Sequence, residues 1–396
     1  MNEGLTQLQP YPFERLSRLF AKVAPNPEYA PIALTIGEPQ HAPPEFAATA
    51  LIDKLDSLGR YPPTVGSEDL RCAIAAWLSH RFQLQGVDPS SQVLPVNGTR
   101  EALFAIAQVI VGSGQPGAVI SPNPFYQIYE GAALLAGTTP KFIPATEESH
   151  FIPNYSALEE QDWIDCELLY LCTPGNPSGA TIPIETLQNL IRLADQYNFV
   201  IASDECYSEI YRTGSTPPPG LLQAAAGMGR HGFERCLVFH SLSKRSNLPG
   251  LRSGFVAGDA EIIERFRRYR TYHGCAMPIH HQAVSIAAWS DEDHVAANRR
   301  RYSEKFDRVV PLLEPHLEVL MPEAGFYLWP RTPQDDETFA TALMEKCNVA
   351  VLPGSYLGRS VNGLNPGSNR VRMALVAEVD RCVEAAQRVA HFLQQG

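Results

Sequence analysis

The sequence predicts an α/β protein that combines a largely parallel sheet in a large domain with a smaller α+β domain. Its 396 residues exceed one ordinary hydrophobic core and favour two domains. From about residue 46 to residue 258, short apolar runs alternate with helical stretches, as in a parallel sheet covered by helices. Beyond residue 260, a long charged helical stretch leads to shorter strands and helices, which indicates the second domain.

The N-terminal segment is rich in proline and predicts an extended arm. Prolines at positions 10, 12, 25, 27 and 31 favour extended backbone that can wrap a neighbouring subunit or domain. We therefore assign residues 1–45 to an N-terminal arm and part of the small domain. Residues 46–284 are assigned to the large domain and residues 285–396 to the small C-terminal domain.

Six apolar runs are the strand candidates of the large domain. They are Val93–Val96, Ala118–Ile120, Leu168–Leu171, Phe199–Ala202, Leu237–Phe239 and Gly254–Ala257. Ligands of open α/β sheets bind beyond the carboxyl ends of the strands, so the polar residues after each run are the functional candidates. The charged helical stretch continues to about Arg308, and an amphipathic helix is predicted from Val379 to Leu393.

Composition and charge exclude several classes of protein. No apolar run approaches the ~20 residues of a membrane span, and a net charge of −11 argues against a nucleic-acid partner. The eight cysteines show neither CxxC pairs nor zinc spacing, so we expect mostly buried free thiols and no metal site. The first four residues lack the features of a secretory signal, so we expect a cytoplasmic protein.

Three strand ends carry groups that suit a phosphate, a ring nitrogen and a carbonyl. Gly98, Thr99 and Arg100 open a helix, whose free N–H groups bind anions, although an ordinary capped helix fits as well. Asp204 follows a buried strand and can hold a pyridine nitrogen protonated, or merely cap a helix. Lys244 lies among cationic neighbours that lower its pKa, as a Schiff-base nucleophile requires, although a surface lysine is the alternative.

Further candidates complete this set. Ser241 and Arg252 are suitable phosphate ligands, because arginine presents paired donors to phosphate oxygens. Asn176 lies in a turn after a strand and can bond a ring hydroxyl, whereas Tyr126 offers an aromatic face or fills the core. Arg372 lies in a segment that alternates like a half-buried strand, and an inward-facing arginine there would need a carboxylate partner.

The chain carries these candidates within an ordered set of motifs. The set comprises Ile36-Gly37-Glu38-Pro39, Tyr61 with Gly66, Asn97-Gly98-Thr99, Asn176-Pro177-Ser178-Gly179, Asp204 with Tyr207, Ser241-x-Ser243-Lys244, Arg252 and Arg372. It resembles the class I and II aminotransferases of pyridoxal phosphate (PLP) fold type I, and the resemblance covers essentially the whole chain. The resemblance implies the PLP-dependent transferase fold, PLP as cofactor and an aminotransferase reaction.

The resemblance also implies a role for each candidate. Lys244 is expected to bind PLP as a Schiff base and then to carry a proton, with Asp204 and Tyr207 as the other catalytic residues. The expected cofactor-binding residues are Tyr61, Gly98, Thr99, Arg100, Tyr126, Asn176, Asp204, Tyr207, Ser241, Lys244 and Arg252. Gly37, Asn176 and Arg372 are expected to bind substrate. Because Tyr61 is expected to reach the phosphate of the partner subunit, the resemblance implies a homodimer.

Four segments, residues 10–16, 95–101, 269–278 and 325–330, resemble more narrowly the N-succinyldiaminopimelate aminotransferases of bacterial lysine biosynthesis. This implies amino-group exchange between L-glutamate or 2-oxoglutarate and N-succinyl-2-amino-6-oxopimelate. Aminotransferases of the aspartate, aromatic or acetylornithine type remain alternatives, as does a non-catalytic PLP-binding regulator. Since the implied substrates carry several carboxylates, Arg270 or His273 is a hypothetical ligand for a distal one.

Overall fold

A computed structural model of the chain describes residues 3–112 and 117–395. The first two residues of the predicted arm therefore lie outside the described residues. The strands are β1 Ile32–Ala33, β2 Val93–Val96, β3 Ala118–Asn123, β4 Thr139–Pro144, β5 Cys166–Cys172, β6 Val200–Asp204, β7 Cys236–Ser241, β8 Gly254–Gly258, β9 Tyr327–Leu328, β10 Val349–Ala350, β11 Leu352–Pro353 and β12 Val371–Ala374. The α-helices are α1 Gly4–Gln7, α2 Pro12–Phe20, α3 Phe46–Ile52, α4 Glu68–Phe82, α5 Thr99–Ile110, α6 Ile128–Ala136, α7 Glu160–Asp165, α8 Ile184–Tyr197, α9 Leu221–Gly227, α10 Leu242–Arg245, α11 Ala260–His273, α12 Ile279–Ser290, α13 Asp293–Leu313, α14 Asp336–Cys347 and α15 Val379–Gln395.

A seven-stranded sheet in the order β2-β8-β7-β6-β5-β3-β4 forms the centre of the large domain. Only β8 runs against its neighbours, and the remaining pairs are parallel. Alternate residues of β5 enter different cores, Leu169 and Leu171 on one face and Leu168 and Tyr170 on the other. The sheet is therefore covered on both faces, which confirms the predicted α/β class and accounts for its continuous apolar strands.

The strand directions bring the functional candidates to one edge of the sheet. Strands β2, β3, β5, β6 and β7 all end at that edge, and β8 begins there, because Gly254 is in register with both Val96 and Ser241. Cys172 at the end of β5 is likewise in register with Asp204 at the end of β6. Residues far apart in sequence therefore meet at one crevice.

All six predicted strands are present, but the prediction missed β4. This strand contains Pro140 and Pro144, which count against a strand in sequence, yet it lies at the sheet edge, where proline is tolerated. The single charged helical stretch was also wrong, since the chain breaks it into α11, α12 and α13. Gly274 with φ of 88° ends α11, and Pro278 precedes α12. The predicted final helix is confirmed as α15.

A second core lies around two small sheets, β1-β10 and β11-β12-β9. Ile32 and Leu34 from the N-terminal region pack there with side chains of α13, α14 and α15. The N-terminal arm is less extended than predicted, because Pro12 starts helix α2. Helix α12 packs Ala288 and Trp289 into the large core, so the predicted boundary after residue 284 falls inside a helix. We propose that the small domain begins after α12.

All eight cysteines are free thiols, four of them buried. Within residues 3–112 and 117–395, no helix is both long and apolar enough to cross a membrane. Over the same residues, no group of three or more His, Cys, Asp or Glu side chains is arranged to hold a metal ion.

Candidate active site

A cavity of about 500 Å³ opens at the edge where the strands of the large sheet end. It lies between this edge, the N-terminal segment and the β11-β12-β9 sheet. The predicted site residues that line it are Gly37, Thr99, Arg100, Tyr126, Asn176, Asp204, Tyr207, Ser241, Lys244, Arg252 and Arg372. The structure therefore brings together all the predicted site residues except Gly98, which lies next to Thr99, and Tyr61.

One end of the cavity has the features of an anion site. Helix α5 begins at Thr99, and its N-cap Gly98 has a φ of 85°, which an L side chain adopts only with strain. A Cβ on Gly98 would overlap the guanidinium of Arg252, so this group lies directly against the helix N-terminus. The hydroxyl of Ser241 is 2.9 Å from that of Ser243 at the same end. Helix N–H groups, hydroxyls and a guanidinium together suit a phosphate.

Lys244 lies on the short helix α10 that follows β7, and its amine reaches the cavity. The pKa of this lysine is lowered to about 8, mainly by burial and also by the positive charges of Arg372 and Arg252, whereas Cys206 and Glu38 raise it. Its Nζ donates a hydrogen bond to the main-chain carbonyl of Gly37. An amine with this pKa is partly unprotonated near neutral pH, as a nucleophile requires.

Asp204 lies buried at the end of β6. Its Oδ2 accepts a hydrogen bond from the hydroxyl of Tyr129 at 2.8 Å, and its Oδ1 accepts one from the main-chain N–H of Cys206 at 3.3 Å. Burial raises the pKa of this carboxyl, whereas the contacts with Cys206 and Tyr129 and the charge of His240 lower it. A protonated ring nitrogen placed beside Asp204 would favour its ionised form.

Arg372 lies on β12 across the cavity from the large sheet. Its strand is buried throughout rather than half-buried as predicted, and the side chain is 4% exposed. Nη1 donates to Oδ1 of Asn176 at 3.0 Å, and Nη2 donates to the carbonyl of Thr35 at 2.8 Å. Its Nε is buried without a hydrogen-bond partner in the described residues. A buried cation with a spare donor suits a carboxylate ligand.

Tyr327 connects several of these groups, although sequence reasoning gave it no role. The hydroxyls of Tyr207 and Tyr327 are 3.0 Å apart, and the guanidinium of Arg372 lies 4.4 Å from the centre of the Tyr327 ring. Gly37 allows this arrangement, because a Cβ there would overlap the Tyr327 hydroxyl. Tyr129 was missed as well. The only sequence signals for these tyrosines were that Tyr129 lies three residues after Tyr126 and that Tyr327 lies within the segment 325–330.

Arg100 points its guanidinium towards two tyrosines. Nε donates to the hydroxyl of Tyr126 at 2.7 Å, and Nη2 donates to that of Tyr11 at 3.4 Å. Among the described residues, neither Arg100 nor Arg372 forms an ion pair with a carboxylate. Arg252, at the phosphate end, forms no such pair either, so three arginines of the cavity lack an ion pair within the described residues.

Tyr61, Arg270 and His273 lie apart from this cavity. Tyr61 is fully exposed, as expected for a residue that contacts another subunit. Arg270 is fully buried and pairs with Glu101, so the hypothesis that it binds a distal carboxylate is wrong for this cavity. His273 stacks on Tyr269 beside a separate surface depression that Arg265, Arg268 and Tyr272 also line.

The arrangement fits pyridoxal phosphate on structural grounds alone. The phosphate end matches the Gly98, Ser241 and Arg252 region, and the buried carboxylate of Asp204 matches the ring nitrogen. The amine of Lys244 is available for covalent attachment, and Tyr126 offers a ring face at the cavity wall. Gly98 and Gly37 both lie where a Cβ would overlap a side chain of the cavity, the guanidinium of Arg252 and the hydroxyl of Tyr327 respectively.

The comparisons with known proteins agree with this geometry. The family model for aminotransferase class I and II matches residues 30–388. An LL-diaminopimelate aminotransferase of Maridesulfovibrio salexigens is 30% identical over 98% of both chains. An aminotransferase structure from Neisseria meningitidis is 47% identical, covers 99% of both chains and gives a TM-score of 0.95. A probable N-succinyldiaminopimelate aminotransferase of Thermus thermophilus is 26% identical, with a TM-score of 0.84 over 96% of this chain and 100% of that one.

Motifs, cavity and comparisons lead to one conclusion. The chain belongs to the class I and II aminotransferase family, and its cofactor is pyridoxal phosphate.

Proposed function

We propose that this aminotransferase exchanges an amino group between L-glutamate or 2-oxoglutarate and N-succinyl-2-amino-6-oxopimelate. The observation that carries the proposal is the pair of cavity arginines, Arg372 and Arg100, without acidic partners in the described residues. Every one of these substrates has a carboxylate next to its reacting carbon and at least one more at a distance. Arg372 binds the first carboxylate. The guanidinium of Arg100, which was expected at the cofactor phosphate, contacts the hydroxyls of Tyr126 and Tyr11 instead and is our candidate for a distal carboxylate.

The side chains divide the chemistry among them. Bound pyridoxal phosphate supplies the electron sink for bonds at the substrate α-carbon. Asp204 holds the proton on the ring nitrogen of the cofactor, and Asn176 and Tyr207 donate towards its ring hydroxyl. The amine of Lys244, when free, would carry a proton between the substrate α-carbon and the cofactor. Arg252, Ser241 and the start of α5 hold the phosphate.

A second candidate substrate is LL-diaminopimelate itself, without the succinyl group. The exposed carboxylate of Glu38 lines the same cavity and suits the second ammonium group of that molecule. The name of the Maridesulfovibrio relative also favours it, whereas that of the Thermus structure favours the succinylated substrate. Both candidates are diaminopimelate derivatives, and the succinylated one matches the surplus positive charge better.

A substrate panel tests the proposal. We expect the purified holoenzyme to show a higher kcat/KM with the succinylated substrate than with LL-diaminopimelate, acetylornithine, aspartate or aromatic amino acids. A higher value for LL-diaminopimelate would establish the second candidate. Preference for one of the other amino acids would contradict both, and the absence of any transamination would indicate a non-catalytic binding protein.

The variant Arg100→Met tests whether Arg100 binds the distal carboxylate. Loss of one charge-assisted contact of about 1.5–3 kcal/mol should lower kcat/KM for the succinylated substrate by about 10- to 100-fold. Transamination of L-alanine, which has a single carboxylate, should change little. The control Arg192→Met removes an exposed arginine on α8 and should affect neither reaction. Equal losses with both substrates would contradict the assignment of Arg100.

A further inference from the structure

A buried asparagine on α13 contacts the turn that carries the cavity lysine. Asn298 is 3% exposed, and its Nδ2 donates to the main-chain carbonyls of Lys244 and Arg245, each at 3.2 Å. These carbonyls end the four-residue helix α10, where no further helical turn supplies them with donors. The amide of Asn298 therefore takes the place of the missing turn.

The other end of the same side chain contacts two more polar groups. Oδ1 of Asn298 accepts from Nδ2 of Asn247 at 2.9 Å and lies 3.1 Å from Nδ1 of His41. Because an amide oxygen only accepts, His41 must carry its proton on Nδ1. Burial and the charge of Lys305 lower the pKa of His41, which favours the neutral ring that this contact requires.

These hydrogen bonds form a closed network that includes the reactive amine. Nζ of Lys244 donates to the carbonyl of Gly37, and His41 lies four residues further along the same segment. The path returns from His41 through Asn298 to the main chain of Lys244. Asn298 thus holds the main chain of Lys244 directly. Through His41 it also holds the segment whose Gly37 carbonyl accepts a hydrogen bond from the Lys244 amine.

Helix α13 also extends this contact towards the substrate side of the cavity. Asn298, Tyr302 and Lys305 lie at i, i+4 and i+7, so they form one stripe, and all three are buried. Nζ of Lys305 donates to the carbonyl of Leu375 at 3.1 Å, just beyond the strand that carries Arg372. The helix therefore joins the lysine turn to the strand that carries this arginine.

We propose that Asn298 is a positioning residue that sets the placement of the Lys244 amine by holding the α10 carbonyls and His41 in one network. Asn298 does not touch the cavity itself, so it acts through Lys244. The inference rests on the proposed role of Lys244 as the cofactor-binding amine. It does not depend on which second substrate the enzyme uses.

The test compares Asn298→Asp and Asn298→Ala with the wild-type holoenzyme. The aspartate places an oxygen against two carbonyl oxygens, and the alanine leaves both carbonyls without a donor. Misplacement of a reacting group by about 1 Å can lower a reaction rate about 100-fold. We therefore expect kcat with glutamate as amino donor to fall at least about tenfold. KM should change less than about threefold. The pH midpoint of the bound cofactor's visible absorbance should also shift, because the environment of the amine changes.

Asn348→Asp is a matched control. Asn348 is also buried, and its Nδ2 donates to a main-chain carbonyl, that of Tyr29, but at the end of α14 and away from the cavity. This variant should lower the melting temperature while leaving kcat and the absorbance midpoint unchanged. His41→Ala, which breaks the network but leaves the Lys244 turn bonded, should shift the midpoint in the same direction as the Asn298 variants.

Failure of the inference about Asn298 and failure of the assignment of Lys244 give different results. If a folded Asn298 variant, or His41→Ala, retains the wild-type midpoint and kcat and loses only thermal stability, Asn298 is merely structural and the inference is wrong. If the cofactor absorbance of the wild type persists in Lys244→Ala, the assignment of Lys244 fails first.

Discussion

Lys244 and Asp204 illustrate how burial prepares single residues for this chemistry. Burial lowers the pKa of the lysine and raises that of the aspartic acid, so both charged forms are disfavoured in the cofactor-free protein. For Asp204, a cationic ring nitrogen of the bound cofactor beside the carboxylate would favour the ionised form again. The hydrogen bond from Tyr129 then supports the ionised carboxylate together with the contacts from Cys206.

Tyr129→Phe tests this contact. A hydrogen bond to a charged group contributes about 1.5–3 kcal/mol, so we expect kcat/KM to fall by about 10- to 100-fold, as measured by steady-state assay with glutamate. Tyr170→Phe is the control, since Tyr170 is equally buried and stacks on Tyr129, but its hydroxyl bonds the carbonyl of Leu103. A smaller effect on kcat/KM at position 129 than at position 170 would contradict the role of Tyr129.

Among single residues, the sequence predicted those that belong to motifs and missed those that act through distant partners. Asp204 and Lys244 were predictable because each directly follows an apolar strand. The pairing of Arg270 with Glu101 was not, because the two residues are 169 positions apart and nothing local indicates the contact. The fully buried position of Arg372 likewise depends on the carbonyl of Thr35, from the other end of the chain.

At the scale of elements, the start of helix α5 has a geometry that depends on glycine. Gly98→Ala would strain a residue with φ of 85° and push its Cβ into the Arg252 guanidinium. Because that guanidinium moves more easily than backbone, we expect a displaced phosphate ligand, with at least a roughly tenfold rise in the Kd of pyridoxal phosphate measured by titration of the apoprotein.

Gly137→Ala provides the matched control for this substitution. Gly137 ends α6 with nearly the same φ, 83°, but a Cβ there would meet nothing within 4 Å. Both substitutions should destabilise the fold, by about 1–2 kcal/mol at Gly137, whose ψ of 22° is left-handed helical, and by about 1–3 kcal/mol at Gly98, whose ψ is 150°. Only the substitution at position 98 should weaken cofactor binding. Equal cofactor affinity in the two variants would show that Arg252 does not depend on the space at Gly98.

Helix α13 buries a lysine, which makes the stability of the fold depend on pH. Burial lowers the pKa of Lys305 to about 8, whereas the pKa of a lysine in an unfolded chain is about 10.4. The charged form is therefore disfavoured in the folded state. The destabilisation is fully present below pH 8 and disappears as the pH rises towards 10.4, because the unfolded chain then loses the proton as well.

Lys305→Met should therefore stabilise the protein more at pH 7 than at pH 9.5. We expect the difference in unfolding free energy between variant and wild type to shrink by about 2 kcal/mol across this range. The hydrogen bond to Leu375 is lost at both pH values, and any difference between its charged and neutral forms is already part of the lowered pKa. Chemical denaturation at the two pH values measures the effect, and a constant or growing difference would contradict the lowered pKa.

The elements themselves were largely predictable, because their sequence patterns are local. Six strands follow from apolar runs and α15 follows from its amphipathic spacing. Strand β4 was not predictable, because its two prolines are tolerated only at the edge of the sheet. The sequence of a single segment does not reveal that position. The breaks between α11, α12 and α13 were signalled by Gly274 and Pro278, which outweigh the continuous charge pattern.

At the scale of the whole molecule, the exposed region before α4 indicates a partner. Ile52, Leu58 and Tyr61 are 62%, 68% and 100% exposed, which is unusual for neighbouring large apolar side chains. We propose that this region contacts a second copy of the chain, so that Tyr61 reaches the phosphate in the partner's cavity. The expected mass in solution is twice the chain mass of 43.6 kDa.

Mixing two impaired variants tests whether sites are shared between subunits. Tyr61→Ala and Lys244→Ala each damage every site in their own homodimers. In a mixed dimer, one site combines intact Lys244 from the first chain with intact Tyr61 from the second. We expect activity to rise above the sum of the separate variants after mixing and refolding, as measured by glutamate turnover. No gain despite mixed dimers in native mass spectrometry would place Tyr61 outside the partner's site.

In this cavity one amine, one carboxylate and one phosphate site must meet around a single cofactor. The most direct test is to reduce the wild-type holoenzyme with borohydride, digest it and identify the peptide that carries the cofactor by mass spectrometry. We expect the modification on Lys244, with none in the Lys244→Ala variant. Modification of another lysine, or of none, would contradict the assignment of Lys244 as the cofactor-binding amine.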